Sequence, residues 1–546
     1  MKKNLFAKLL SLGMAALVSS SVLYGCKKAD NSTNTSTKTR TSNKPGWKKD
    51  AKKKVTLDWY VNFSWFATKW GKDVTSKYVS DKTGVNLNII APSGNESEKL
   101  NTMIASDSLP DIITLNWNDD GVKKMIEAGQ IEPLDELANK YDPYFNTVAD
   151  KSKLNWYKQD DGHVYGYPNS STSPADFKKY GNKITSNQTF MVRKDIYEAI
   201  GKPDMSTPEG FLNALKAAKE KFPTVNGQPL IPIGLHEFGD TGNYSLQDYL
   251  ANFLAVPREK NGKLYDRIDD PDYINWLRTF RKANQMGLLS QDVFVDKRAQ
   301  MEEKMGQGRY FALLYQRSDM TTQEGNLYKK DPKSIYIAIN GPANSAKDAP
   351  KLAGVGISGW TLQMITKNCK DKKRAVEFFS YLISEEGQKD LYLGKKGVTY
   401  DTINGKDQFK PDVLKLRDSD RTAFDKKYGA SLTFWMMQDT NMILKWQPET
   451  AEPFKQLEDW TKGKVVDYSK YDNITPPVDS DEGEINTAIN EEWGKTLTKL
   501  LLAKSDSQFD SILKAFNTKK KALGYDKLMK YENKEMSENG KKLGYK

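Results

Sequence analysis

The chain has 546 residues, with 83 Lys and Arg against 71 Asp and Glu, a formal charge of +12 and only two cysteines. That length is enough for two or three domains with real cores, and two cysteines exclude a disulfide-built scaffold. The charges are mostly lysines spread along the chain, with no basic helix interleaved with aromatics. This argues against nucleic acid and leaves either a solvated surface or an attraction to anionic membranes and acidic ligands.

The first element in chain order is a targeting segment. Lys2, Lys3 and Lys8 form a basic head, Leu9 to Val18 an apolar run, and Leu23-Tyr24-Gly25-Cys26 closes it. The run is shorter than the roughly 20 residues a spanning helix needs, and no later stretch reaches that length. Residues 1–25 therefore read as a secretory signal. A Cys directly after a small residue at the cleavage point resembles the lipoprotein lipobox, although Tyr24 stands where that pattern has a small residue. The resemblance implies that Cys26 receives lipid chains and becomes the new N-terminus. The alternative is ordinary signal cleavage with Cys26 as a bystander. Removing the three signal lysines lowers the charge to +9. Cys369, without a partner once Cys26 is acylated, reads as a buried thiol. Residues 26–54, rich in Lys, Ser, Thr and Asn, read as a disordered tether reaching about 30 Å.

The globule opens at Val55-Thr56-Leu57-Asp58-Trp59-Tyr60, alternating as a strand does. Asp73 to Thr83 is helical and Gly84 ends it; Val85 to Ile90 alternates again. Glu96 to Ala105 puts Leu100, Met103 and Ile104 on one helical face, and Asp111 to Leu115 is a buried strand. Strand and helix in alternation predict right-handed crossovers and a mostly parallel sheet. The pattern restarts after Tyr165-Gly166-Tyr167-Pro168. Thr189 to Arg193 is a strand, and Ser206 or Thr207 caps a helix carrying Phe211, Leu215, Ala218 and Phe222 on one stripe. Further strands are expected at Ile231 to Leu235, Phe311 to Leu314 and Ile335 to Ile339. Further helices are expected at Tyr273 to Met286, Arg374 to Leu393 and Asn486 to Leu502. The glycines of ISEEG and LYLGKKG stand where a helix should end.

Spaced blocks then align in one order: GVNLNII, KLNTMIASDSLPDIITL, DGHVYGYP, FMVRKDIYEAIGKPDMSTPEGFLNALKAAKEKFP, ISGWTLQMITKNCKDKKRAVEFFSYLISEEGQKDLYLGKKGVTY and LKAFNTKKKALGYDKLMKYENK. Together they resemble the family 1 extracellular solute-binding lipoproteins, in their large LplA-like branch, from about Val55 to the C-terminus. The resemblance implies the α/β type II periplasmic-binding-protein fold, two α/β lobes with a cleft between them. The expected lobes are 55–165 with 335–395, and 166–334 with 396–546. It implies a lipid-anchored protein at the outer face of the cell membrane and a monomer. Such a protein captures an oligosaccharide by lobe closure and passes it to ABC permease subunits. Against a glycoside hydrolase, adjacent acids such as Asp119-Asp120 and Glu385-Glu386 do not face one reacting bond. No nucleophile elbow, HExxH or Cys/His pair appears, so no enzyme is expected. A peptide-binding or sensory lipoprotein on the same scaffold is the alternative.

No cofactor is expected. Some relatives carry a calcium loop after the helix that ends here at Phe222. Residues 223–229 hold no carboxylate, which argues against a metal there. Asp479-Ser480-Asp481-Glu482-Gly483-Glu484 lacks calcium spacing and reads as acids entering a helix N-terminus.

Ligands of open α/β sheets meet the loops at the carboxyl ends of strands. Within those loops, rings, amides and charges beside one another suit the C–H faces and hydroxyls of a sugar. The candidates are Asn62 and Trp65 after the first strand and Trp117 and Asp119 after the third. The crossing segment offers Tyr167, and the second half offers His236, Tyr244, Gln316 and Arg317. Trp360 and Trp435 complete the set, with Phe66, Tyr165, Glu237, Tyr315 and Gln438 in the same loops. Each ring has a core role as its alternative. His236 has a structural one, and Arg317 either meets a uronate carboxylate or closes an internal ion pair. Trp59, Trp70, Trp276, Trp446, Trp460 and Trp493 fall in packing patterns.

Overall fold

The computed structural model describes residues 39–545 apart from 65, 67, 94 and 431. The signal segment, Cys26 and the start of the tether lie outside the described residues. Among these, nine strands form the two larger sheets. In chain order they are Val55–Val61 (β1), Val85–Ile90 (β2), Ile112–Asn116 (β3), Tyr167–Pro168 (β4), Gln188–Arg193 (β5), Ile231–Gly234 (β6), Tyr310–Gln316 (β7), Tyr336–Ala338 (β8) and Thr361–Ile365 (β9). The first sheet runs β2-β1-β3-β9-β4 and the second β8-β5-β7-β6.

The opening strand–helix alternation gives the parallel part expected of it: β1 pairs in parallel with β2 and β3. The remaining pairs are mixed. The late-arriving β9 runs antiparallel to β3 and β4, and β7 is antiparallel to β5 but parallel to β6. A strand that enters from the other half of the molecule is not bound by the crossover rule, which governs consecutive strands. The first sheet is buried on both faces. Leu57, Trp59 and Val61 of β1 enter one core while Tyr60 enters another with Ile113 and Leu115.

The helices follow their caps. Val74–Thr83 (α1) starts at Asp73, whose carboxylate accepts the Ser76 N–H at 2.8 Å, and ends at Gly84 with φ 74°. Glu96–Ala105 (α2) buries Leu100 and Met103. Pro208–Lys221 (α3), capped by Thr207, and Pro271–Gln285 (α4) pack Phe211, Leu215 and Trp276 into the core of the second sheet. Thr321–Lys330 (α5) carries Glu324, 2% exposed, whose Oε1 accepts the Tyr336 N–H at 2.8 Å while Oε2 is buried without a hydrogen-bond partner among the described residues. Burial pushes that carboxyl up to about 8.

The long helix expected from Arg374 to Leu393 is two, Lys372–Ile383 (α6) and Glu385–Leu393 (α7). Ser384 breaks it by capping the second helix, its Oγ accepting the Gly387 N–H at 3.1 Å. Gly387 thus opens a helix rather than ending one, and it has to be glycine: a Cβ there would lie 1.8 Å from the Tyr381 carbonyl oxygen. Residues 223–229 form a tight hairpin, Thr224–Val225 against Gln228–Pro229, turned by Asn226 and Gly227 at positive φ.

Sheet membership moves the expected lobe limits. Tyr167–Pro168 belongs to the first sheet and Tyr336–Ala338 to the second. Residues 400–446 pack with the first half, not the second. Tyr400, Phe409, Phe424 and Trp446 share a core with Tyr392 and Leu393 of α7, and Thr75 of α1 donates to the Tyr428 carbonyl at 2.7 Å. The chain then returns to the second half, where Leu457 enters the core beside β7 and β8. Three segments therefore connect the halves: between β4 and β5, between β8 and β9, and after Trp446.

The tether expectation also fails beyond residue 39. Residues 46–50 form a short helix whose Trp47, 2% exposed, meets Tyr381 of α6 edge-to-face at 5.0 Å. The Gly46 N–H donates to Asp142 at 3.1 Å, Asp50 pairs with Lys373, and the Arg40 N–H donates to Asn139 Oδ1 at 2.9 Å. A polar composition cannot support a core, but one indole in an existing groove is enough to dock a strap.

Candidate functional site

Where the halves meet, the connecting segments bind one another. The Trp360 N–H donates to the Asn169 carbonyl at 3.2 Å, the Asn169 N–H to Thr361 at 3.0 Å and the Thr172 N–H to Gly356 at 3.0 Å. The buried side chain of Asn169 accepts the Thr361 N–H at 2.9 Å and donates to the Phe434 carbonyl at 2.9 Å. Gly359, at φ 71°, makes this approach possible: a Cβ would meet the Asn169 carbonyl oxygen at 2.3 Å.

A cavity of about 410 Å³ opens beside these segments. One wall is the second sheet and its loops: Gln188 of β5, Gln316 and Arg317 at the carboxyl end of β7, and the rings of Tyr244 and Tyr249. Residues 183–187 and 353–355 of the connections form the floor. Thr440, Asn441, Ile443, Leu444 and Gln447, from the last stretch before the third connection and its start, complete the lining. The lining is amide, hydroxyl, ring and cation.

Of the sequence candidates, Tyr244, Gln316 and Arg317 line this cavity. Tyr244 is 50% exposed, the posture of a ring free to stack on a ligand. Gln316 is held by the Tyr249 hydroxyl at 3.0 Å and donates to Asp319 at 2.6 Å. Arg317 donates to the Ser186 carbonyl at 2.8 Å and to Thr185 Oγ1 at 3.1 Å, with Glu458 3.7 Å away. Burial pulls its pKa down.

His236 sits behind the wall. Its ring stacks on Tyr315 at 4.1 Å and meets Tyr244 and Tyr249 edge-on. Ser245 Oγ accepts the His236 backbone N–H at 2.8 Å and gives its hydrogen to the Leu314 carbonyl at 2.5 Å, so toward Nδ1 at 2.6 Å it accepts again. The imidazole therefore carries its hydrogen on Nδ1, and Nε2 is a buried acceptor with no hydrogen-bond partner among the described residues. Burial holds the ring neutral, its pKa pulled down to about 4.

The first-half candidates divide. Trp117 and Trp360 come together, the Trp117 N–H donating to the Trp360 carbonyl at 3.2 Å. Trp360, half-buried, stacks with Phe63 at 5.2 Å and with Phe434 at 5.9 Å. The segments from Val355 to Trp360 and from Phe434 to Thr440 join this ring stack to the cavity. Asp119 caps the helix Asp120–Glu127, accepting the Gly121 N–H at 2.8 Å, and burial pushes its carboxyl up.

Three candidates are core instead. Trp435 is fully buried, edge-on to Trp59 at 5.1 Å and Phe66 at 4.9 Å. Tyr167 is buried against Phe145 and accepts the Asp150 N–H at 3.1 Å. Asn62 is buried with Oδ1 accepting the Tyr60 hydroxyl at 2.8 Å. In each case a ring or amide completes internal packing that the loop composition does not reveal. Trp65 lies outside the described residues. Cys369 is a buried free thiol, which burial pushes up to about 12.

Sequence reasoning misses Tyr249, Asn169, Asn441, Lys183 and Phe434. Tyr249 falls in a helical run, and the other four carry no spacing signal. Phe434 stands one residue from the candidate Trp435, in a turn where Trp435, Met436 and Met437 are all buried and spacing does not tell the partly buried ring from the core one.

Residues 64–389 match the family model described as bacterial extracellular solute-binding protein. Lipoprotein LipO of Bacillus subtilis (strain 168) is 24% identical over 350 residues, 61% of this chain and 65% of LipO, so the match spans less than two thirds of that relative. Solved structures share the fold, three of them as follows. Alginate-binding protein AlgQ2, crystallised without calcium ion, is 19% identical with a TM-score of 0.61, over 92% of this chain and 99% of that one. The S. pneumoniae ABC-transporter substrate binding protein FusA in complex with kestose is 15% identical with a TM-score of 0.61, over 89% and 99%. An extracellular solute-binding protein from Bifidobacterium longum subsp. infantis is 16% identical with a TM-score of 0.63, over 89% and 98%.

Proposed function

We propose, from the premise that the chain belongs to the bacterial extracellular solute-binding proteins, that it captures an oligosaccharide in the cleft between its halves. It then delivers the sugar unchanged to the membrane subunits of an ABC importer. It works as a monomer at the outer face of the cell membrane, held by lipid on Cys26.

The observation that carries this reading is the cavity wall. Amides of Gln188, Gln316, Asn441 and Gln447 stand among hydroxyls of Thr172, Thr185, Ser186 and Thr440, next to the rings of Tyr244 and Tyr249. Planar amides pair with sugar hydroxyls in both directions, and ring faces take the C–H faces. Among the described residues, the lining holds no pair of carboxylates of the kind that cleaves a glycosidic bond. That favours capture over hydrolysis. AlgQ2 is named for alginate and FusA was solved with kestose, which agrees with a sugar in a cleft of this fold.

Closure follows from population shift: a ligand that touches both halves binds the closed arrangement better than the open one. Two ring contacts and several hydrogen bonds suffice for the roughly 8 kcal/mol of a micromolar site.

A thermal-shift screen against neutral and acidic oligosaccharides, followed by titration calorimetry, tests the reading. At least one oligosaccharide should bind, and Tyr244→Ala should weaken it about tenfold, the worth of one ring contact. Failure of every saccharide to bind, or appearance of hydrolysis products, overturns it.

A further inference from the structure

The cavity is electrically one-sided. Its lining contains two cations, Lys183 and Arg317, and no carboxylate. Lys183 is exposed and makes no ion pair among the described residues. Arg317 spends its donors on neutral oxygens of Ser186 and Thr185, and among the described residues Glu458, at 3.7 Å, is the one carboxylate paired with it.

A second pair of cations stands behind the wall. Arg267 donates to Asn252 Oδ1 at 2.6 Å, and Asn252 donates to Gln188 Oε1, a cavity residue, at 3.0 Å. Arg258 lies over the Tyr468 ring at 4.6 Å. Among the described residues both guanidiniums stand near the Asp248 carboxylate, at 3.7 and 4.0 Å, and Arg258 also feels Asp472, whose carboxyl burial pushes up to about 6. The Nε of each guanidinium is buried without a hydrogen-bond partner among the described residues. Burial and then the neighbouring Arg258 charge pull the Arg267 pKa down to about 10, as expected of a cation short of countercharge.

Desolvated positive charge in a low-dielectric wall raises the local concentration of anions and strengthens their binding. We propose that the cleft is built for an acidic oligosaccharide, one bearing carboxylate or sulfate groups. Lys183 and Arg317 meet those groups directly, and Arg258 and Arg267 supply the field that draws them in. Arg317 offers its remaining guanidinium donors in a planar fork suited to a two-oxygen anion. The inference rests on the saccharide reading above and sharpens it.

The probes are uronate oligomers of several linkages, their carboxyl-reduced neutral counterparts, sulfated oligosaccharides, and neutral gluco-, xylo-, manno- and fructo-oligosaccharides. Calorimetry is run with the whole mature globule. The expected result is an anionic oligomer bound about tenfold or more tighter than every neutral one. Its affinity should fall as NaCl rises from about 50 mM to about 500 mM. Preference for the uronate over the sulfated series identifies a carboxylate, and the reverse a sulfate ester. Arg317→Met and Lys183→Gln should each weaken binding about tenfold. The second change is at an exposed position, so loss of folding does not explain its effect. A neutral oligosaccharide bound as tightly as any anionic one overturns the inference and leaves the proposed function standing. Binding of an acidic peptide with no saccharide bound overturns both.

Discussion

Glu324 offers the sharpest test of the energetics. Its carboxyl is buried under the edge of the second sheet, one oxygen accepting the Tyr336 N–H and the other without a hydrogen-bond partner among the described residues. Burial raises its pKa from 4.5 to about 8. The folded protein therefore binds this proton more tightly than the unfolded chain does. The stabilising contribution is complete below pH 4.5 and is lost as pH rises toward 8, because the unfolded chain ionises first. Each tenfold difference in proton affinity between the two states is worth about 1.4 kcal/mol, so between pH 5 and pH 8 this one group should remove about 3 kcal/mol of stability. Glu324→Gln keeps the acceptor for Tyr336 and cannot ionise. Any packing change it brings is the same at every pH. Urea unfolding of both proteins at pH 5 and pH 8 isolates the effect as a difference of differences: the variant should gain about 3 kcal/mol on the wild type over that interval. A gain below about 1 kcal/mol would refute the argument that burial keeps this carboxyl neutral.

His236 should act in the opposite direction. Its folded pKa lies below its unfolded one, so stability is lost as pH falls from 6.5 toward 4. About 2 kcal/mol should disappear between pH 7 and pH 5 and be absent from His236→Phe, as read from the pH dependence of the urea midpoint. Asn169→Ala should cost about 2 to 3 kcal/mol, because the Thr361 N–H and the Phe434 carbonyl lose their buried partner. It should also weaken ligand binding by loosening Trp360, and unchanged stability would contradict the role given to this amide. Trp47→Ala should free residues 40–54 for rapid hydrogen exchange and proteolysis, a loss of about 3 kcal/mol of local protection. Protection equal to the wild type's would show that the strap is held by its ion pairs.

The opening of the fold is readable because several signals agree there. Alternation in Val55 to Val61, an Asp cap before α1 and Gly84 after it all point one way, and the structure follows them. Return strands carry no such agreement. Tyr336–Ala338 and Thr361–Ile365 are short apolar runs whose sheet is decided by contacts hundreds of residues away. Arg317 and Tyr244 are legible because polar loops after strands are where this architecture presents side chains. Trp435 lies one residue from Phe434, the partly buried ring that stacks on Trp360, and a turn does not reveal which of the two side chains enters the core. Trp47 shows the limit of composition: segment averages describe whether a stretch can form its own core, not whether it fits another's.

The three segments that join the halves have a mechanical meaning. One strand between two bodies allows twist and bend in any direction; three connections restrict it, and the first two of them are laced together by the hydrogen bonds of Asn169 and Thr172. In the proposed closure the two halves therefore have fewer relative orientations to sample than a single link would leave them. Little orientational entropy is then left to surrender on closing, so contact energy at the cleft goes into affinity instead of alignment.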